Sequence, residues 1–132
     1  MKKVTIVIEK ASDGGYCAYM EEIFKDFGLA GSGDTAEEAK QDIVEAYHEI
    51  KEMLEAKGKK VPELEFDFKY DMQSFFNYFD YLNISKIAEK AGINSSLLRQ
   101  YSCGKVKAGQ KQYDKLALAI NQIKNDLVHA TL

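Results

Sequence analysis

One segment near the C-terminus, residues 84–109, constrains the fold more than any other: it reads ISKIAEKAGINSSLLRQYSCGKVKAG. The pattern predicts two short helices joined by a tight turn. Ala88 is small enough for one helix to cross another closely, and Gly92 can end the first helix in a left-handed conformation without steric cost. The predicted inner face is apolar: Ile87, Ala91, Ile93, Leu98 and Tyr101. Such a pair is a helix-turn-helix, the unit that places a recognition helix in the DNA major groove.

Polar residues follow the predicted turn and supply candidate DNA contacts. Short side chains at the start of the second helix can cap its unpaired backbone N–H groups. Arginine suits guanine, and asparagine or glutamine suits adenine, at the base edges of the major groove. The candidate base readers are Asn94, Ser95, Ser96, Arg99 and Gln100. Lys105 and Lys107, in the loop after the second helix, are candidates for phosphate contacts.

The charge of the chain is divided unevenly between its halves. The whole chain has a net charge of −3, which taken alone argues against a nucleic-acid partner. Residues 1–70 contain 10 lysines and 16 acidic residues, a net charge of −6, whereas residues 71–132 contain 8 basic and 5 acidic residues, a net charge of +3. This asymmetry favours an anionic polymer as the partner of the second half only. The alternative is that these lysines form an ordinary solvated surface.

Length and cysteine content limit the remaining possibilities. The 132 residues allow one domain or two small ones. Cys17 and Cys103 have no CxxC spacing and suggest unpaired thiols in a reducing compartment. The first apolar run is five residues long and ends at Glu9, so it is too short for a signal peptide or a membrane span. We therefore expect a cytoplasmic protein with no membrane partner.

The first seventy residues predict strands around one long helix. Alternating apolar residues indicate strands over 4–8 and 16–20, with turn residues between them, and a third strand over Phe27–Ser32. Thr35 and Glu38 form a capping-box pattern that begins a helix extending to Gly58. Its buried stripe is predicted at Ala39, Ile43, Ala46, Tyr47, Ile50, Met53 and Leu54. A final strand over 64–70 gives a βββαβ domain covering residues 1–70.

A domain boundary is predicted after Tyr70, because alternation stops there and aromatic residues at helical spacing begin. Phe75, Phe76, Phe79 and Leu82 could form a base-stacking platform, but this spacing is more typical of a core helix. The prediction is a small all-α helix-turn-helix bundle over residues 71–132. A last helix over 113–127 has Leu116, Ile120, Ile123 and Leu127 at spacings of 4, 3 and 4. That stripe fits either internal packing or a dimer interface.

Two parts of the chain together resemble a known family. The first is GGYCAYMEE followed by GLAGSGDTAEEAKQDIVEAYHEIKEMLEAKGKKVPE, which contains a Gly-Tyr strand, a Gly-Asp-Thr turn and a Glu-Glu-Ala helix start. It resembles the HicB-type antitoxins of HicA–HicB toxin–antitoxin pairs. The second part resembles the phage-repressor-like (Xre-type) helix-turn-helix that some members append. The resemblance extends from Val4 to about Ile123, although residues 21–28 replace the Pro-Asp-Leu-Pro-Gly stretch usual in the family.

The resemblance implies a specific fold and function. In the family, the N-terminal domain is a degenerate ribonuclease-H-like sheet that masks a small, basic, messenger-RNA-cleaving toxin. The C-terminal domain represses the operon by binding operator DNA. We therefore expect an α+β antitoxin and autorepressor that acts as a dimer or higher homo-oligomer. The alternative is a stand-alone DNA-binding regulator whose N-terminal domain serves dimerisation or ligand sensing, with no toxin partner.

The residues do not predict an enzyme or a cofactor site. Ribonuclease-H chemistry needs several carboxylates converging on two metal ions. Here the first strand offers only Glu9, and the other acids lie along the polar face of one helix: Glu37, Glu38, Asp42, Glu45, Glu49 and Glu52. His48 and His129 have no second ligand at metal-binding spacing, and no phosphate-binding glycine loop is present. We expect no catalytic residues, no metal and no cofactor.

Overall fold

The computed structural model describes all 132 residues as an α+β protein with a four-stranded mixed sheet and five helices. The elements are β1 (Lys2–Lys10), β2 (Tyr16–Met20), β3 (Ala30–Gly33), α1 (Ala36–Ala56), β4 (Leu64–Tyr70), α2 (Met72–Tyr78), α3 (Ile84–Ala91), α4 (Ser95–Ser102) and α5 (Gln110–Val128). The predicted α+β class and the βββαβ order of the first elements are confirmed. The chain forms two compact units, Met1–Tyr78 and Phe79–Leu132.

The sheet of the first unit has the strand order β3-β2-β1-β4. β1 is antiparallel to β2, with Ile6 opposite Met20, and parallel to β4, with Ile6 opposite Phe68. A parallel pair needs a crossover connection, and α1 lies in that connection. Because side chains alternate along a strand, one face of β1 carries Val4, Ile6 and Ile8, all at most 1% exposed.

α1 covers this apolar face, and its predicted stripe is largely confirmed. Its buried residues include Ala39, Ile43, Tyr47 and Leu54, whereas Met53 is 51% exposed. The helix approaches β3 so closely that a Cβ atom on Gly31 would lie 2.6 Å from the backbone nitrogen of Ile43. Only glycine fits at this position without a shift of the helix or the strand.

The start of α1 forms a variant of the predicted capping box. The Thr35 hydroxyl accepts a hydrogen bond from the Glu38 N–H at 3.1 Å, as expected. The Glu38 carboxylate accepts at 2.8 Å from the N–H of Asp34, one residue before the predicted donor. The acidic residues predicted on the polar face of α1 are all exposed: Glu37, Glu38, Asp42, Glu45, Glu49 and Glu52.

α2 belongs to the first unit, which contradicts the predicted boundary after Tyr70. Met72 and Phe76 are 2% and 7% exposed. The Asp71 carboxylate accepts from the N–H of Lys10 on β1 at 3.0 Å, and the Asn77 amide oxygen accepts from the N–H of Ala36 at the start of α1 at 2.9 Å. These bonds join α2 and the residue before it to α1 and β1, and the unit boundary lies after Tyr78.

The third strand begins later than predicted, and the aromatic stripe does not form one helix. Phe27 lies in the loop before β3, with its ring stacked on that of Phe24 at a centroid distance of 4.9 Å. α2 ends at Tyr78, so Phe79 and Leu82 lie in the connection to α3. Neither the stacking of Phe24 on Phe27 nor the end of α2 at Tyr78 can be inferred from alternation or helical spacing alone.

The second unit contains α3, α4 and α5. Four of the predicted inner-face residues are buried, with Ile87 4%, Ile93 6%, Leu98 0% and Tyr101 8% exposed, while Ala91 is half-buried. Ala88, predicted to be small for a close helix crossing, is 0% exposed. None of the helices in the chain combines the length and apolarity that a membrane crossing requires.

Candidate nucleic-acid interface

The turn between α3 and α4 contains only residues 92–94. Gly92 has a φ of 69°, the left-handed conformation expected from the sequence. The N–H of Ile93 donates to the Ala88 carbonyl at 3.0 Å, and the N–H of Gly92 donates to the Glu89 carbonyl at 3.4 Å. This bond pair satisfies carbonyls at the end of α3 and fixes the direction of the chain into α4.

Asn94 caps the start of α4. Its side-chain oxygen accepts a hydrogen bond from the N–H of Leu97 at 3.2 Å. Both a capping and a base-reading role were expected for Asn94, and the structure shows the first. Ser95 and Ser96 follow in the first turn, where Ser95 is half-buried and Ser96 is exposed. The N–H group of Leu97 is satisfied by Asn94. The other N–H groups at the start of a helix have no carbonyl partner within it, and such groups favour an anion.

The outward face of α4 is polar. Leu98 and Tyr101 face inward, so at 3.6 residues per turn Ser96, Arg99 and Gln100 lie on the opposite side. Arg99 is exposed and Gln100 is half-buried. An arginine and a glutamine one residue apart on an exposed helix face can present a guanidinium fork and an amide to a surface of donors and acceptors.

Arg99 has a partner that the sequence did not reveal. Its guanidinium donates a hydrogen bond to the hydroxyl of Ser85, in the first turn of α3. Ser85 is half-buried and lies fourteen positions before Arg99. The contact spans two helices, so no local spacing could have predicted it. The bond holds the arginine side chain across the α3–α4 pair while four of its five N–H donors remain for other partners.

The loop after α4 carries the two predicted phosphate contacts. Lys105 and Lys107 are both exposed. The N–H groups of Lys105 and Val106 donate to the Gln100 carbonyl at 3.0 and 3.4 Å, so the loop is tied to the end of α4. Positive side chains are therefore held directly after the helix that carries Arg99.

Further basic residues lie on the neighbouring helices. Lys86 and Lys90 are on α3, and Lys111 and Lys115 are near the start of α5. Lys86 lies 3.9 Å from the Glu89 carboxylate, a surface pair that contributes little to stability. The second unit as a whole has 8 basic and 4 acidic residues, a net charge of +4. Its electrostatic field favours an anionic partner.

The first unit contains an open depression of about 510 Å³ at the turn between β1 and β2. Its lining residues include Asp13, Cys17 and Asp34. Burial raises the pKa of the Cys17 thiol, and the carboxylate of Glu9 raises this pKa further. The thiol is therefore protonated at neutral pH and is a weak nucleophile. No group of three His, Cys, Asp or Glu side chains in the chain could hold a metal ion.

Comparison with known proteins found no matching family model, no matching curated protein and no matching solved structure.

Proposed function

We propose that this chain is a transcriptional regulator of the HicB antitoxin type, located in the cytoplasm. In this proposal the second unit is an Xre-type helix-turn-helix domain that binds operator DNA, and the first is a degenerate ribonuclease-H-like domain that masks a small basic toxin. The observation that carries the proposal is the α3–turn–α4 segment. This segment has a tight turn that begins at Gly92, a buried inner face, and a polar outer face bordered by lysines.

The first part of the proposal, DNA binding by the second unit, is supported by the chemistry of the outer face of α4. A helix of eight residues fits the major groove when its exposed side chains can reach base edges. Arg99 offers paired donors for guanine O6 and N7, and Gln100 offers a donor and an acceptor for adenine. Lys105 and Lys107 offer point charges for the phosphates beside the groove.

The second part of the proposal, binding of a basic protein by the first unit, is supported by the charge and the exposed apolar residues of that unit. Residues 1–78 contain 10 lysines and 17 acidic residues, a net charge of −7. Ile23 is 96% exposed in the loop after β2, directly after Glu21 and Glu22, and Tyr19 on β2 is 40% exposed. Exposed apolar side chains within an acidic surface favour a basic protein partner, because opposite fields speed encounter.

The proposed DNA binding is tested by selecting the sequences that the protein binds from a random duplex library. The best duplex is then titrated with the protein. Removal of the Lys105 or Lys107 side chain should weaken binding about equally on the selected and on a scrambled duplex. The slope of log K against log salt should fall by about one unit for each phosphate that the protein no longer neutralises. The matched control is Lys60→Ala, which removes an exposed lysine from the first unit. Failure to enrich any sequence, or equal effects of all three variants, would contradict the proposal.

The proposed partner binding is tested separately, with any small basic protein that is encoded next to this chain. Co-expression of the full chain with that protein should give a stable complex and relieve growth arrest. Ile23→Asp should weaken the complex while leaving DNA binding unchanged. If no complex forms and no toxicity is relieved, the remaining hypothesis is a stand-alone regulator whose first unit serves dimerisation or ligand sensing.

A further inference from the structure

β4 lies at one edge of the sheet and has no strand on its outer side. The strand order is β3-β2-β1-β4, so the two edge strands are β3 and β4. An unpaired edge offers its N–H and C=O groups to another extended chain. At the β3 edge, the Asp42 carboxylate already accepts from the N–H of Ser32 at 2.9 Å, and β3 has only four residues. β4 has seven residues and no proline, so it is the more available edge.

The backbone groups of β4 point alternately towards β1 and towards the outer side. The carbonyl of Glu63 accepts from an N–H of β1 at 2.9 Å, and the N–H of Asp71 donates to a carbonyl of β1 at 3.2 Å. These two residues flank β4, so the odd-numbered residues of the strand bond to β1. Since adjacent residues of a strand point in opposite directions, the N–H and C=O groups of Phe66 and Phe68 point away from the sheet. The chain itself supplies no backbone partner for these groups.

Aromatic side chains lie along this edge on the α1 side of the sheet. We refer to Phe66, Phe68 and Tyr70 as the aromatic row, and all three are half-buried against the core under α1. The rings of Phe66 and Phe68 meet edge-on with centroids 6.2 Å apart. The Lys40 ammonium on α1 lies 4.3 Å from the centre of the Phe68 ring, so a basic side chain is disfavoured there. A strand added to β4 would place every second side chain on this row, where apolar residues gain burial.

The other face of β4 carries exposed charged side chains. Glu65 and Asp67 are exposed, and neither carboxylate forms an ion pair within the chain, while Lys69 is exposed at the end of the strand. The remaining side chains of an added strand would lie beside the two carboxylates, where lysine or arginine would form cross-strand charge pairs. The first unit has a net charge of −7, which favours the approach of a basic chain over that of another copy of the unit.

We propose that the outer edge of β4 binds an extended strand of a basic protein, in which apolar and basic residues alternate. The strand continues the sheet through the outward N–H and C=O groups of Phe66 and Phe68. Its apolar side chains lie on the aromatic row, and its basic side chains lie beside Glu65 and Asp67. In such strand addition the main-chain bonds provide affinity and the alternate side chains provide specificity. This inference rests on the proposal that the first unit binds a basic protein, and it identifies the kind of segment that the partner contributes.

The probe is a synthetic peptide of alternating valine and lysine, as long as the seven residues of β4. It is titrated into the full chain, and the exchange of each backbone amide hydrogen is followed by NMR. Exchange at Phe66 and Phe68 should slow about 10-fold or more, because the added bonds protect these N–H groups. Exchange at Glu65 and Asp67, whose N–H groups already bond to β1, should change little. A control peptide with the same side chains but a methyl group on every backbone nitrogen cannot donate these bonds and should not bind.

The role of charge is tested with two matched double variants. Glu65→Gln combined with Asp67→Asn removes both carboxylates beside the added strand. It should raise the dissociation constant of the peptide about 5-fold, as expected for the loss of two exposed charge pairs. Glu45→Gln combined with Glu49→Gln removes two exposed carboxylates from α1 instead, and should change the constant by less than about 2-fold because solvent screens distant charges. Circular dichroism should show that both double variants remain folded.

Several outcomes would overturn the inference. They are no binding of the peptide, equal binding of the methylated peptide, equal effects of the two double variants, and protection elsewhere in the sheet without protection at Phe66 and Phe68. Slower exchange at these two residues with rising protein concentration, without peptide, would overturn it as well, because a second copy would then occupy the edge. The peptide test needs no natural partner, so it can succeed when co-expression gives no complex. A natural complex that leaves both amides unprotected would contradict this inference and leave the proposed partner binding standing.

Discussion

At the scale of single residues, Arg99 is the side chain whose replacement is most informative. Arg99→Ala should cost roughly 1–3 kcal/mol of DNA-binding free energy and relax the preference at one base pair, as expected for a bidentate contact to guanine. Arg99→Lys keeps the charge but removes the fork, so it should recover affinity without recovering the base preference. Titration of both variants on the selected duplex and on its single-base substitutions checks this. Unchanged affinity and base preference in Arg99→Ala would show that Arg99 does not contact the bases.

In the proposed complex with DNA, we expect Ser85 to position the Arg99 guanidinium through their hydrogen bond and not to contact the bases itself. Ser85→Ala should leave the base preference in place, because the guanidinium remains, and weaken binding by no more than about 1 kcal/mol, the net value of a typical hydrogen bond. The same titrations measure both quantities. A change in base preference in Ser85→Ala would indicate that the serine itself faces the bases.

Tyr70 gives the stability of the first unit a dependence on alkaline pH. Burial of the half-buried ring is the main cause that raises its pKa from 10.0 to about 12. A group whose folded pKa is raised stabilises the fold fully below pH 10 and loses that contribution as pH rises through about 12. A rise of one pKa unit corresponds to ~1.4 kcal/mol, so the rise from 10.0 to about 12 sets an upper limit of ~2.8 kcal/mol. Solvent screening of a half-exposed group reduces this contribution, and we expect about 1 kcal/mol in total.

Urea unfolding of wild type and Tyr70→Phe at pH 9 and pH 11.5 measures this contribution. The free energy of unfolding should fall less with pH in the variant than in the wild type. Tyr81→Phe, at a ring that is 77% exposed, serves as the control and should follow the wild type. Equal losses in Tyr70→Phe and wild type would show that the Tyr70 hydroxyl does not contribute.

The candidate site was predictable from sequence where a residue acts through its immediate neighbours. The left-handed Gly92, the Asn94 cap and the outward Arg99 all follow from spacing within one turn or one helix. The bond from Arg99 to Ser85 was not predictable, because it depends on how α3 and α4 pack. The sequence also gave Asn94 two expected roles, and the structure shows the local one, in which its side-chain oxygen accepts from the N–H of Leu97.

At the scale of elements, the start of α1 depends on a residue far along the chain. The Asn77 side-chain oxygen accepts from the N–H of Ala36, a residue that is 0% exposed, while Thr35 caps the N–H of Glu38. Asn77→Ala should therefore cost about 1–2 kcal/mol, since it leaves a buried donor unpaired. Urea unfolding checks this, with Asn121→Ala on α5 as an exposed control expected to change by less than about 0.5 kcal/mol. A neutral Asn77→Ala would mean that water replaces this cap.

The elements that sequence predicted well are those with a clear period. β1, β2, α1 and β4 each repeat apolar residues at spacing 2 or 3.6 over at least five residues. β3 is only four residues long, and two of them are glycines, so it lacks such a signal. The aromatic spacing of α2 identified a helix but not its partner, because the core that it joins is built from residues distant in sequence.

At the scale of the whole molecule, the boundary after Tyr78 predicts which fragments fold. A fragment of residues 1–70 lacks the Asp71 and Asn77 hydrogen bonds and the buried side chains of Met72 and Phe76. Burying each of these two side chains contributes about 1.5–3 kcal/mol, so residues 1–70 should be roughly 3–6 kcal/mol less stable than residues 1–78. A difference of that size is a large part of the stability of a small domain.

Urea unfolding of three fragments, followed by circular dichroism, decides where the first unit ends. Residues 1–78 should unfold cooperatively, and residues 1–70 should be largely unfolded without denaturant. Residues 1–83 add the connection to α3 and should match residues 1–78 within about 0.5 kcal/mol, because surface additions of this kind have small effects. Equal stability of 1–70 and 1–78 would restore the boundary after Tyr70. A clearly higher stability of residues 1–83 would place the boundary in the connection to α3. Tests of partner binding by the first unit alone would then need the longer fragment.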